Sequence, residues 1–204
     1  MTLYIVIKRL FDIFFSLLGF CILIPLFVAI KVSFMLVGDK GKIIYHQTRV
    51  GKDGKLFDIY KFRSMIQNAD EVLKDLLKNE KYRTEWEKNQ KLEEDPRITK
   101  IGRFLRKTSL DELPQLVNIL KGDMSIVGPR PLVQGELEGH GGSLLYWKVK
   151  PGLTGWWACH GRSNLNYKER LEMEYYYINH FSFKLDFICI CKTFYYVLTA
   201  RGAK

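Results

Sequence analysis

The chain has 204 residues, 47% of them apolar and 26% charged, and carries a formal net charge of +10. That length suits one domain of ordinary size, and the apolar share excludes wholesale disorder. The basic balance points to anionic partners: a membrane surface, nucleic acid or phosphorylated ligands.

In chain order, the first element is an apolar run. The 18 residues from Ile13 to Ile30 hold no charge. As a helix they reach about 27 Å, against about 30 Å for a bilayer core. Lys8 and Arg9 precede the run and Lys31, Lys40 and Lys42 follow it, so flanking charge gives no direction of insertion. Pro25 removes one helical hydrogen bond and predicts a kink or break. A cleaved signal peptide is disfavoured, because no small-x-small site follows. A core helix remains open. So do a straight spanning helix and a kinked one that enters and leaves by the same face, and the residues alone do not separate these two. Asp12 stands three residues after Arg9, close enough to pair with it at the interface; the alternative is a plain charged anchor.

"KIIYHQ" and "LFDIYKF" predict two short strands joined by a "GKDG" turn. Residues 67–94 are charged, with Leu73, Leu76 and Leu77 at helical spacing, which predicts a surface helix. Ile101, Phe104 and Leu105 predict another. Ser109 and Glu112 form an S-x-x-E pattern, which predicts a capped helix ending at Gly122. "GDMSIVGPRPL" and "KVKPGLTGWWACHGRS" read as Gly/Pro-punctuated loops, followed by a helix within 165–180. The tail from Leu185 to Leu198 is too short to span a bilayer and suits an amphipathic helix, at an interface or on the core. Cys21, Cys159, Cys189 and Cys191 form no CxxC, which disfavours a disulfide framework or zinc site.

The chemistry-bearing residues are cations near loops: Arg49, Lys61, Arg63, Arg97, Arg103, Arg106, Arg130 and Arg162. Guanidinium groups grip phosphate oxygens in a fork. Among them sits Asp111, expected to stay ionised at a helix start. A carboxylate beside phosphate-binding groups can hold Mg²⁺ or attack phosphorus. P-loop, GxGxxG, HExxH and GxSxG patterns are absent. His46, His140, His160 and His180 lack metal-ligand spacing, and His160 in the Gly/Trp loop is the one that merits a test. Nucleic-acid binding rests on charge alone, with no module signature behind it.

"KRLFD" (8–12), "YKFRSM" (60–65), "DPRITKIGRFLRKTSLDELPQLVNILKGDMSIVGPRP" (95–131), "PGLTG" (151–155) and "GR" (161–162) follow one another in an order that resembles the bacterial sugar transferase family, the monotopic phosphoglycosyl transferases. The resemblance implies an α+β, mostly helical fold. Residues 1–38 would form a re-entrant membrane helix broken at Pro25. Residues 39–204 would form a cytosolic catalytic domain with a small β-hairpin, interfacial amphipathic helices and a charged helical insertion at 67–94. The implied reaction moves a sugar 1-phosphate, with galactose or glucose expected, from a UDP-sugar to undecaprenyl phosphate with Mg²⁺, on the cytoplasmic face of the bacterial inner membrane. Asp111 would be the nucleophile, and Glu112 the base or metal neighbour. Arg130, Lys61, Arg63, Arg106 and Arg162 would hold phosphates. A homo-oligomer is compatible with this, and nucleic acid is not expected as a partner. Two departures stand out: Ile24 where small members often carry serine before the proline, and "WWACHGR" with Ala158 and His160 where the family usually has a glutamine. The rival reading is a membrane-bound scaffold or regulator that keeps the fold without activity.

Overall fold

The computed structural model describes residues 2–89, 92, 94–160 and 166–199. Helix α1 (Thr2–Leu36) has 35 residues, about 52 Å at 1.5 Å per residue. It is long and apolar enough to cross a membrane. Pro25 lies inside the helix, which is not divided into two elements there. Proline deletes one backbone hydrogen bond, and packing on both sides of the gap holds the helix together. Leu23 before the gap and Ile30 and Phe34 after it are buried in one cluster with Phe62 and Leu105.

The amino-terminal third of α1 is fastened by charge. Arg9 donates to the carbonyls of Ile119 and Leu120. Lys8 pairs with Asp186 at 2.6 Å. Asp12 accepts from the Ser125 hydroxyl and the Ile126 N–H. The anticipated Arg9–Asp12 pair is therefore not what these residues do; each docks α1 on a different part of the domain. Leu10, Phe14, Leu17, Leu18, Ile24 and Val28 remain exposed.

Strands β1 (Ile44–Val50) and β2 (Leu56–Phe62) form the anticipated antiparallel hairpin, with Ile44 opposite Phe62 and Val50 opposite Leu56. The turn includes Asp53 and Gly54, both at positive φ. Lys61 lies opposite Tyr45 and Arg49 opposite Phe57. By the two-residue strand period, Lys61 and Arg49 sit on the same hairpin face, about 13 Å apart along the strands.

Residues 67–94 give two helices, α2 (Ala69–Leu76) and α3 (Glu80–Asn89). Helix α4 (Lys100–Lys107) starts at Thr99, whose hydroxyl accepts from the Gly102 N–H. A Cβ on Gly102 would stand 1.8 Å from the Ser64 carbonyl oxygen, so only glycine lets α4 rest directly on the chain leaving β2.

The expected capping box at Ser109 does not form. Ser109 is left-handed (φ 56) with no capping hydrogen bond, and Leu110–Glu112 make a single 3₁₀ turn. Helix α5 (Gln115–Lys121) begins after Pro114 instead. Proline lacks the N–H that an earlier helix start would require, and it is tolerated at the entry of a helix. Gly122 ends α5 in the left-handed region, as anticipated. Asn118 joins α5 to the hairpin, accepting from the Tyr60 N–H and donating to the Asp58 carbonyl.

Strands β3 (Ser125–Val127) and β4 (Gly152–Thr154) pair in parallel, which brings the two glycine-rich loops together. Backbone meets backbone there: a Cβ on Gly152 would stand 2.1 Å from the Gly128 nitrogen, and one on Gly155 2.1 Å from the Gly128 oxygen. The short helix α6 (Glu136–Gly139) lies between these strands in sequence. Helix α7 (Tyr167–His180) is capped reciprocally by Asn166 and Glu169. Helix α8 (Phe183–Leu198) buries Leu185, Asp186 and Cys189 and exposes Phe187 and Phe194. All four cysteines are free.

Candidate active site

The turn Leu110–Glu112 is held between α4 and α5 against the end of β2. Lys61 donates to Glu112 Oε1 at 2.9 Å. Arg106, on the last turn of α4, donates from Nε to the Ser64 hydroxyl at 2.8 Å and faces Asp111 electrostatically. Two carboxylates and two cations therefore converge from three segments. Burial pushes the Asp111 carboxyl up to about 6, and the Glu112 charge pushes it the same way, while Lys61 and Arg106 oppose both. Asp111 lies in a 3₁₀ turn and not at the expected helix start, and its carboxyl is harder to ionise than a free one. The turn is too short for a helix dipole, and desolvation outweighs the cations. Asp111 still ionises below neutrality.

The adjacent carboxylates suit a divalent cation. Their mutual repulsion is what an added positive charge relieves, and Mg²⁺ commonly takes one or two carboxylates and completes its shell with water and substrate phosphates. No cluster of three or more His, Cys, Asp or Glu side chains stands ready for a metal among the described residues.

Arg63 takes no part in this group. Its guanidinium donates to the carbonyls of Lys42 and Met65, pairs with Asp39 at 2.8 Å and covers the Phe34 ring. That role is to lock the chain after α1 to the hairpin. Arg97 is likewise spent on Asp95 in a buried two-pronged pair. Arg162 lies outside the described residues.

Arg130 belongs to a second group. Its backbone is clamped: the N–H donates to Glu174 Oε1 at 3.0 Å, and the carbonyl accepts from the Tyr146 hydroxyl at 2.9 Å. Its guanidinium is exposed, rests over Trp157 and pairs with no carboxylate among the described residues. Arg170 lies over both Trp157 and Tyr167. Arg49 reaches the same loop, donating to the Pro131 carbonyl at 3.2 Å, and feels the charges of Arg130, Glu136 and Arg170. Trp157 lies in the Gly/Trp loop already marked in the sequence, whereas Arg170 and Glu174 carry no motif. Their signal, a Lys/Arg–x₃–Glu pair on a helix, is too common to point to a site.

His160 sits beside this loop, its Nδ1 on the Trp156 carbonyl and its Nε2 near Lys192 Nζ. Burial lowers its pKa, and the Lys192 charge adds to that, which leaves a neutral ring with both nitrogens occupied.

One prediction arises directly. Lys61→Met removes a cation that favours ionised Asp111, so the acidic limb of any activity that needs the Asp111 carboxylate shifts to higher pH. A pH–rate profile of the variant checks this, and an unmoved limb contradicts it.

These features define a class: an α+β domain docked on an apolar helix, with a carboxylate pair set among cations. A family model described as "Bacterial sugar transferase" matches residues 3–200, and the chain belongs to that family. It is 48% identical over 199 residues to an undecaprenyl-phosphate galactose phosphotransferase of Salmonella typhimurium, covering 97% of this chain and 41% of that protein. It is 41% identical to an exopolysaccharide production protein, ExoY, of Sinorhizobium fredii, covering 96% and 87%. A UDP-glucose:undecaprenyl-phosphate glucose-1-phosphate transferase of Escherichia coli is 37% identical, covering 92% and 40%. The chain thus spans about two-fifths of some relatives and nearly all of others.

Proposed function

We propose that the protein transfers a hexose 1-phosphate, from UDP-galactose or UDP-glucose, to undecaprenyl phosphate as an opening membrane step of exopolysaccharide, capsule or O-antigen synthesis. The observation that carries this reading is the Asp111–Glu112 turn set against Lys61 and Arg106. The activities that the relatives from Salmonella and Escherichia coli are named for support the substrate class.

In the first half-reaction an Asp111 oxygen attacks the sugar-bearing phosphorus. The bond from that phosphorus to the bridging oxygen breaks, UMP leaves with that oxygen, and an aspartyl phospho-sugar remains. An oxygen of the lipid phosphate then attacks the same phosphorus and releases Asp111, giving a lipid-linked sugar diphosphate. Any proton on the attacking phosphate passes to Glu112. Lys61 and Arg106 offset the repulsion between carboxylate and phosphate, and Arg130 grips a phosphoryl group at the other end of the same hairpin face. Asp111 and Glu112 would hold Mg²⁺, which supplies further charge neutralisation when bound.

The membrane reading is a re-entrant α1 that enters and leaves by the cytoplasmic face of the inner membrane, with the exposed Phe187 and Phe194 of α8 at the interface. Docking of α1 on the domain both before and after Pro25, and positive charge at both flanks, support it. Single cysteines at Thr2 and Lys42 in a cysteine-free background are expected to be labelled from the cytoplasmic side alone. Labelling from opposite sides would mean a spanning helix.

The deciding assay is UMP release from a panel of UDP-sugars with undecaprenyl phosphate and Mg²⁺. UDP-galactose or UDP-glucose is expected to be the best donor. No UMP from any sugar, by folded protein in lipid, would favour the non-catalytic scaffold.

A further inference from the structure

Glu174 has no role in the chemistry above, yet its surroundings are unusual. It is 1% exposed on α7. One oxygen accepts the Arg130 N–H, and the other, Oε2, has no hydrogen-bond partner. A Cβ on Gly155 would lie 3.8 Å from that oxygen, so the carboxyl sits behind the junction of the two glycine-rich loops. A buried carboxyl in this state is costly unless nearby charge favours it.

The residue it holds is set up for an anion. Pro129 and Pro131 restrict the backbone on each side of Arg130. The Pro129 carbonyl accepts from the Gly152 N–H at 2.8 Å, and Tyr146 holds the carbonyl of Arg130 itself. Every backbone tie is fixed while the guanidinium is left to solvent and the Trp157 ring. Of the two side chains bonded to the Arg130 backbone itself, Glu174 and Tyr146, Glu174 alone can carry a charge at neutral pH.

We propose that Glu174 is a positioning residue for Arg130: it fixes the loop that presents the guanidinium and, when ionised, subtracts from the positive field offered to a phosphoryl group. The groups facing it are Arg130 from the loop, Arg170 from its own helix, Tyr146 from the 144–148 turn and Cys159 from the Gly/Trp loop. Burial pushes its carboxyl up to about 7, which brings the charge change into the working range. Below that value Glu174 is neutral and Arg130 acts unopposed; above it the carboxylate weakens the pull on an anion. The inference rests on the reading of Arg130 as a phosphate-gripping residue.

The test measures UDP-galactose and UDP-glucose binding by calorimetry between pH 6 and 8.5, in protein carrying Asp111→Asn so that neither turnover nor Asp111 titration contributes. The sugar diphosphate has no ionisation of its own in that interval. Affinity is expected to fall on the order of five- to tenfold as pH rises, the scale of one charge at intermediate dielectric. Adding Glu174→Gln, which keeps an acceptor for the Arg130 N–H, is expected to flatten the profile at the tighter limit. Glu174→Asp keeps the charge but shortens the reach, so binding weakens at every pH while the slope remains. An identical pH slope with glutamine overturns the inference, and so does a profile flat in both proteins. Absence of any binding across the panel overturns the functional reading itself, and this inference with it.

Discussion

Asp111→Asn is expected to lower transfer at least a thousandfold and to leave a folded, more stable protein. The loss follows from the attack step, because an amide is a far weaker nucleophile than a carboxylate and cannot form the acyl phosphate. The gain follows from desolvation. A carboxyl raised to about 6 favours its protonated form in the fold, so ionisation costs stability as pH climbs from the unfolded value near 4 to about 6, with no further loss above. Asparagine has no such term. The shift corresponds to about 1–2 kcal/mol at pH 7.5 after discounting for the side chain's partial exposure. A thermal melt at pH 7.5 should show the variant above the parent, and the two should converge toward pH 4. In the parent, activity should fall through half its plateau near pH 6. Full turnover by the asparagine variant would remove Asp111 from the chemistry.

Gly152→Ala should be strongly damaging for so small a substitution. Its Cβ would meet the Gly128 nitrogen at 2.1 Å and the Gly128 Cα at 2.6 Å. These are backbone atoms of the residue that follows β3, so no side chain can rotate away. The expected cost is about 3–5 kcal/mol, a large fraction of a domain's stability. Strand β3 would part from β4, and Pro129–Arg130 would lose its tie to residue 152. Proteolysis and melting of the purified protein measure this. Gly139→Ala, with nothing within 4 Å of the added atom, serves as the control and should fall within about 0.5 kcal/mol of the parent. Equal behaviour of the two variants would refute the close approach.

The hairpin was legible because two β-rich segments flank a turn with residues that accept positive φ. Helix α4 was legible from periodicity, α7 and α8 from composition and length, and the end of α5 from Gly122. The S-x-x-E pattern misled, because Pro114 moves the helix start beyond it and frees Glu112 for Lys61. Arg63 looked like one phosphate ligand among several; its neighbours in space, Asp39 and the Lys42 carbonyl, come from a segment that carries no motif. The parallel pairing of β3 with β4 joins residues 27 apart in sequence, and three-residue strands carry no readable alternation.

By itself, the sequence determined the inventory: an apolar helix flanked by positive charge, an adjacent acidic pair, an arginine between prolines, and glycines where the chain must bend. Each of these acts over a few residues, through backbone sterics and side-chain type. Only the tertiary structure decided how the cations divide, with Lys61 and Arg106 at Asp111, Arg49 and Arg170 around Arg130, and Arg63 and Arg97 spent on structural pairs. It also decided that Asp111 is harder to ionise than a free carboxylate. The physical reason is common to both. Charge pairing and desolvation depend on which distant segments can approach, and that approach is set by backbone clearance at Gly102, Gly128 and Gly152, not by spacing along the chain.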